Sequence, residues 1–141
     1  MSARIPPSQQ NHDREVCRLA TTFSGLRFRF WSSCSTVENT ADLPALPFGS
    51  VNFEPDLFLP ELPPTGETRP LDWLIEVETS ETAGIAHTRQ QLSAFTAHSR
   101  NTPSRVVVLV PSQDINTMRT TLASWRLTSV QVNPWGWPQT C

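Results

Sequence analysis

At 141 residues the chain has the length of one domain, enough to bury one core but not two. A formal charge of −2 and a pI near 5.9 argue against a dedicated electrostatic nucleic-acid binder, because affinity for phosphates comes mainly from clustered cations; any such contact has to be local or shared by an oligomer. All eleven basic residues are arginine and neither lysine nor tyrosine occurs, so no mechanism that needs a lysine is open to this chain.

Met1 to Gln10 lacks the basic-then-apolar order of a secretory signal, and no apolar run approaches the roughly 20 residues that span a bilayer. A cytoplasmic protein with no membrane partner is expected. Pro6 and Pro7, followed by Ser8 as a cap, open a helix in which Val16, Leu19, Ala20 and Phe23 recur at helical spacing, and Gly25 stops it. Leu26, Phe28 and Phe30 then alternate with Arg27 and Arg29, the period-two pattern of a strand near a sheet edge. Ser32 to Gly49, rich in Ser, Thr, Asn and Pro, reads as a loop. Val51, Phe53, Leu57 and Leu59 share one face of a second strand, with Asn52, Glu54, Asp56 and Phe58 on the other and Pro55 marking a bulge or an unpaired position.

Pro60 to Pro70 reads as a hairpin-like excursion before a third strand, Leu71 to Thr79, in which Trp73, Ile75 and Val77 lie on one face and Asp72, Leu74, Glu76 and Glu78 on the other. Ala83 to Arg100 has the length of a crossover helix, and Val106 to Val110 is the unbroken β-branched run of a strand buried on both faces. Ser112 caps a further helix with Ile115, Met118, Leu122 and Trp125 as its core stripe, and Ser129 to Val132 forms a last strand. The order αβββαβαβ requires a single α/β domain over 1–141, with a central mixed sheet of about five strands flanked by helices.

Two carboxylates inside the otherwise apolar run from Trp73 to Glu78 are costly to bury without a compensating cation. Glu76 and Glu78 are same-side neighbours, and a hairpin-like return brings Asp56 beside Glu76. Three hard oxygen donors gathered in this way suit Mg2+ or Mn2+, which keep several waters and need few protein ligands. The rival reading is a solvent-facing strand side paired with Arg27 or Arg29; the metal reading is preferred, because the helix at 83–100 should cover this face.

Glu54-Pro55-Asp56 followed by Ile75-Glu76-Val77-Glu78-Thr79 resembles the PD-(D/E)xK nuclease superfamily, and the order of elements resembles its restriction-endonuclease-like core. The resemblance runs from the first helix to the strand at Val106. It implies a magnesium- or manganese-dependent endo- or exonuclease acting on DNA, with Asp56 and Glu76 holding the metal. Glu78 stands where the family's usual lysine would be, an E-x-E variant, and is implied to bind a second ion or orient the attacking water. Gln91-Leu92-Ser93-Ala94-Phe95 is similar to the QxxxY motif of one branch, with Phe95 in the tyrosine's place; Gln91 then contacts a water or a phosphate, or else lies on a solvated helix face. Glu15 corresponds to an acidic residue that some members place on the first helix, although a solvated face is the favoured account of it. The alternative function is a nuclease fold that has lost catalysis and acts as a nucleic-acid or protein binding module. A homodimer would double the scarce positive charge and supply two sites for two strands.

The remaining candidates have plainer readings. His87 and His98 lack a third soft donor and are taken as surface residues, and His12 as a partly buried member of the first helix's apolar face. Cys17, Cys34 and Cys141, odd in number and widely spaced, read as reduced, incidental thiols. Trp135 and Trp137 either stack on bases or seal a dimer, or fold back to cap the core.

Overall fold

The computed structural model describes residues 7–48, 51–62 and 71–138. Helix α1 spans Pro7–Gly25 and buries Val16, Leu19, Ala20 and Phe23, the expected stripe. Its end is a left-handed turn. The Phe28 amide donates to the Phe23 carbonyl at 3.1 Å, and Arg27 takes φ 62° in the position that glycine usually fills. That turn overrides the expected strand over 26–30. Leu26 and Phe28 are 44% and 38% exposed, and the chain becomes a strand only at β1, Trp31–Ser32, an edge strand as anticipated.

The segment expected as a loop is tied down. Phe30 and Thr40 exchange bonds of 3.0 and 2.9 Å, and Asn39 Oδ1 accepts the Ser32 amide at 2.8 Å. It also forms β2, Pro47–Phe48, paired with β3, Val51–Asn52. The second strand is therefore split at Pro55, which has no amide to give a ladder. Only β4, Leu57–Leu62, joins the main sheet. The split puts Phe53 on the opposite face from Leu57 and Leu59, against the single face expected for all three.

β5 covers Leu71–Val77, α2 Ala86–Asn101, β6 Ser104–Val110, α3 Ile115–Ser124 and β7 Gln131–Pro134. Ser112 does not cap α3; it opens a 3-10 turn, and β7 lies two residues beyond its expected place. The sheet order is β1-β4-β5-β6-β7, antiparallel through β5 and parallel from β5 to β7. Apart from the β2–β3 hairpin this is the expected α/β arrangement with a five-stranded mixed sheet. α2 is the crossover that a parallel β5–β6 pair requires.

Alternation along the strands divides the core in two. Leu57, Leu59, Trp73, Ile75, Val77, Val107 and Leu109 pack against α1, whereas Phe58, Leu74, Val106, Val108 and Val110 pack against Leu92, Phe95, Met118 and Leu122 of α2 and α3. Coverage of both faces explains the unbroken apolar run of β6.

Two side-chain readings change and one open reading is decided. Cys17 and Cys34 form a disulfide from α1 to the loop after β1, so they are not free thiols; Cys141 lies outside the described residues. The spacing of the cysteines carried no sign of this pairing, because it depends on β1 returning beside α1. Trp137 stacks on Trp73 with ring centroids 5.7 Å apart and an interplanar angle of 9°, which decides for folding back onto the core. Glu15 is buried, neither solvated nor facing a ligand: it accepts two bonds from Arg18, at 2.8 and 2.7 Å, and the Gly136 amide at 2.9 Å. Arg18 also donates to the Trp137 carbonyl at 2.8 Å, so the pair clamps the C-terminal segment to α1. Gly136, at φ 94°, is where the backbone turns into that clamp, and a side chain there would be strained. Among the described residues no helix is long and apolar enough to cross a membrane.

Candidate functional site

The antiparallel pairing of Leu57 with Ile75 sets Asp56, the residue before β4, beside Glu76. One bond fixes its side chain: Asp56 Oδ2 accepts the Val77 amide at 2.8 Å. Glu76 and Glu78 follow the strand alternation onto the α2 face, and both are buried, at 4% and 5% exposure. Arg27 and Arg29 are exposed at the far end of α1, which removes the rival account of two solvated glutamates paired with them.

The three carboxylates line a cavity of about 230 Å³ beyond the C-terminal end of β5. This is the end of a parallel strand pair where α/β sheets usually place ligands. α1 contributes Ser8, Gln9 and His12 to its wall, and α2 contributes His87, Thr88 and Gln91. All four residues singled out from the sequence, Asp56, Glu76, Glu78 and Gln91, therefore face one space. Phe95, one turn beyond Gln91, is fully buried in the core, the packing role expected of it.

His12 is the member that sequence reasoning missed. Its Nε2 lies 3.1 Å from Asp56 Oδ2 and its Nδ1 2.9 Å from Asp13 Oδ1. Partial burial was legible from the helix stripe, but the partner forty-four residues away was not. His87 is exposed on the rim, its ring 6.1 Å from that of Phe53, whereas His98 is only partly exposed, with a buried and unpartnered Nε2.

The electrostatics follow from this crowding. Burial foremost, then the charges of Asp56 and Glu78, hold the Glu76 carboxyl well above the ordinary carboxylate range. Glu78 is pushed up to about 7 by burial, partly opposed by a 2.6 Å bond from Thr82 Oγ1 to its Oε2. Burial alone would lower His12, but its bond to Asp56 and the charge there, reinforced by Asp13, raise it to about 9. The crowding thus favours the protonated form of His12, paired with Asp56, and shifts Glu76 toward its protonated form.

Among the described residues no three His, Cys, Asp or Glu side chains are posed together to hold an ion. Asp56 is engaged by Val77 and His12, and Glu78 by Thr82. Glu76 Oε2, in contrast, is buried with no hydrogen-bond partner. Such an atom is costly unless something else satisfies it. Asp56 and Glu76 are the residues that could hold a cation here, with Glu76 giving up its proton to do so. The chain matches no protein-family model, no curated protein and no solved structure.

Proposed function

We propose that this protein is a metal-dependent phosphodiesterase acting on DNA, of the PD-(D/E)xK type with a restriction-endonuclease-like core. The observation that carries the reading is the buried, unpartnered Glu76 Oε2 of β5 beside Asp56, the residue before the antiparallel β4, in a cavity open to solvent. The order α1, β1, β4, β5, α2, β6, with its carboxylates before β4 and at the end of β5, supports the same assignment.

Asp56 and Glu76 would hold Mg2+ or Mn2+, which supplies Lewis-acid polarisation of a phosphoryl oxygen and a more acidic water. The Val77 amide fixes the carboxylate of Asp56 in place. Glu78, with a carboxyl near 7 and held by Thr82, has the basicity of a group that accepts a proton from an attacking water at neutral pH. The imidazolium of His12 contributes the positive charge that the absent lysine does not. Gln91 presents an amide to a phosphate at the cavity wall. A twofold dimer would set two such cavities on the two strands of a duplex.

A second reading, a nuclease fold that binds DNA or another chain without cutting it, is favoured by one feature: no arginine is among the described residues lining the cavity. Incubation of the purified protein with single- and double-stranded DNA, with magnesium or manganese, separates the two. Metal-dependent cleavage that falls at least about a hundredfold in Asp56→Asn and Glu76→Gln is expected. Binding without cleavage under every metal condition assigns the second reading. Equal, metal-independent cleavage by parent and variants removes the first.

A further inference from the structure

α1 ends in a shoulder that its own turn pushes into solvent. Leu26, Arg27, Phe28 and Arg29 are all exposed, and two large apolar side chains alternate there with two cations. The Phe28 ring rests on Phe23, with centroids 6.0 Å apart and planes at 45°, so the core backs the ring and leaves it 38% exposed. Arg27 occupies, at φ 62°, a left-handed position that glycine fills at lower cost. The chain thus places a cation where backbone stability favours no side chain at all.

We propose that this shoulder binds single-stranded DNA, with a base stacked on Phe28 and the flanking phosphates paired with Arg27 and Arg29. The inference rests on the phosphodiesterase reading for its substrate and adds a second contact on the same strand. A backed aromatic ring between arginines offers what a flexible strand presents in succession, a π-face and then a charge. The other end of the same helix lines the catalytic cavity through Ser8, Gln9 and His12. About 20 Å of helix separate His12 from Gly25, where the shoulder begins, at 1.5 Å per residue. That is about six nucleotides at the 3.4 Å rise of a stacked strand. The acidic balance of the whole chain is then no obstacle, because the attraction is local.

Two substrates separate the shoulder from the cavity: bis(p-nitrophenyl) phosphate, small enough to use the cavity alone, and a single-stranded oligonucleotide of about 20 nucleotides, longer than the span. Phe28→Ala is expected to weaken oligonucleotide binding about tenfold, the loss of one stacked base. Arg27→Gly relieves the left-handed strain, so its Tm should rise while its affinity for the oligonucleotide falls and the salt slope of binding drops by about 1. Neither change should alter hydrolysis of the small diester. Parent-like affinity for the oligonucleotide in both variants overturns the proposal. So does a loss confined to self-association of the chain, which would assign the shoulder to a second copy. If the parent cuts neither substrate the phosphodiesterase reading fails by itself, and anisotropy of the labelled oligonucleotide in EDTA still decides the shoulder.

Discussion

Asp56 Oδ2 accepts the Val77 amide at 2.8 Å, so the carboxylate before β4 is anchored to the strand that carries Glu76. Asp56 is therefore a structural acceptor as well as a candidate ligand, and the two roles separate by substitution. Asp56→Ala leaves a backbone donor without its partner and should cost about 1–3 kcal/mol in urea denaturation. Asp56→Asn keeps an acceptor and should cost clearly less while removing the charge. Equal losses in the two variants would mean that the bond to Val77 contributes nothing.

The metal-free protein should lose stability steadily as pH rises. Glu78 titrates at about 7 in the fold, raised first by burial and then by Asp56 against bonds from Thr82 and Thr88, compared with 4.5 ordinarily. The folded chain keeps a proton that the unfolded chain releases, so about 3 kcal/mol is lost as pH rises from 4.5 through 7. His12, raised from 6.5 to about 9, acts in the same direction: its contribution is complete below 6.5 and is lost as pH rises through about 9. Urea midpoints should fall across this window in EDTA. A midpoint that rises with pH would contradict the assignment of both groups.

Reduction of the Cys17–Cys34 disulfide opens a loop with a sequence separation of 17, worth about 3 kcal/mol in chain entropy. The double variant Cys17→Ser with Cys34→Ser should show that loss in urea. The Glu15–Arg18 clamp still holds α1 to the C-terminal segment, so far-ultraviolet circular dichroism should keep its helical signal. Collapse of that signal would mean that the disulfide alone docks the helix.

Glu15→Ala tests whether Glu15 belongs to the clamp or to the site. It strips Arg18 and the Gly136 amide of a shared buried acceptor, which should cost about 2–3 kcal/mol. Trp137 fluorescence should shift with it, while manganese affinity stays within about twofold of the parent's. A selective loss of manganese binding at unchanged stability would return Glu15 to the site.

What was legible in the sequence is what short-range pattern determines. The alternation from Trp73 to Glu78, the β-branched run of Val106 to Val110 and the helical stripe of α1 each report one element's burial, and each lies where the pattern put it. Asp56 and Glu76 came together because a hairpin-like return leaves few alternatives. The failures needed knowledge of distant partners or of turn chemistry. Alternation over 26–30 imitated a strand, but the bond from Phe28 to the Phe23 carbonyl closes the helix and turns those side chains outward. Pro55 reads as a bulge or an unpaired position and is unpaired, but the single strand expected around it is two, because its missing amide ends one before the other begins. His12 and the Cys17–Cys34 pair could be placed only once β1 and β4 were seen to lie against α1.

Calorimetric titration with Mn2+ tests most directly whether Asp56 and Glu76 share a cation. The account predicts saturable binding near one ion per chain that is lost in both Asp56→Asn and Glu76→Gln and is accompanied by proton release, because burial shifts Glu76 toward its protonated form and an ion binds the carboxylate. Parent-like Mn2+ affinity in either variant, or no binding by the parent, would contradict it.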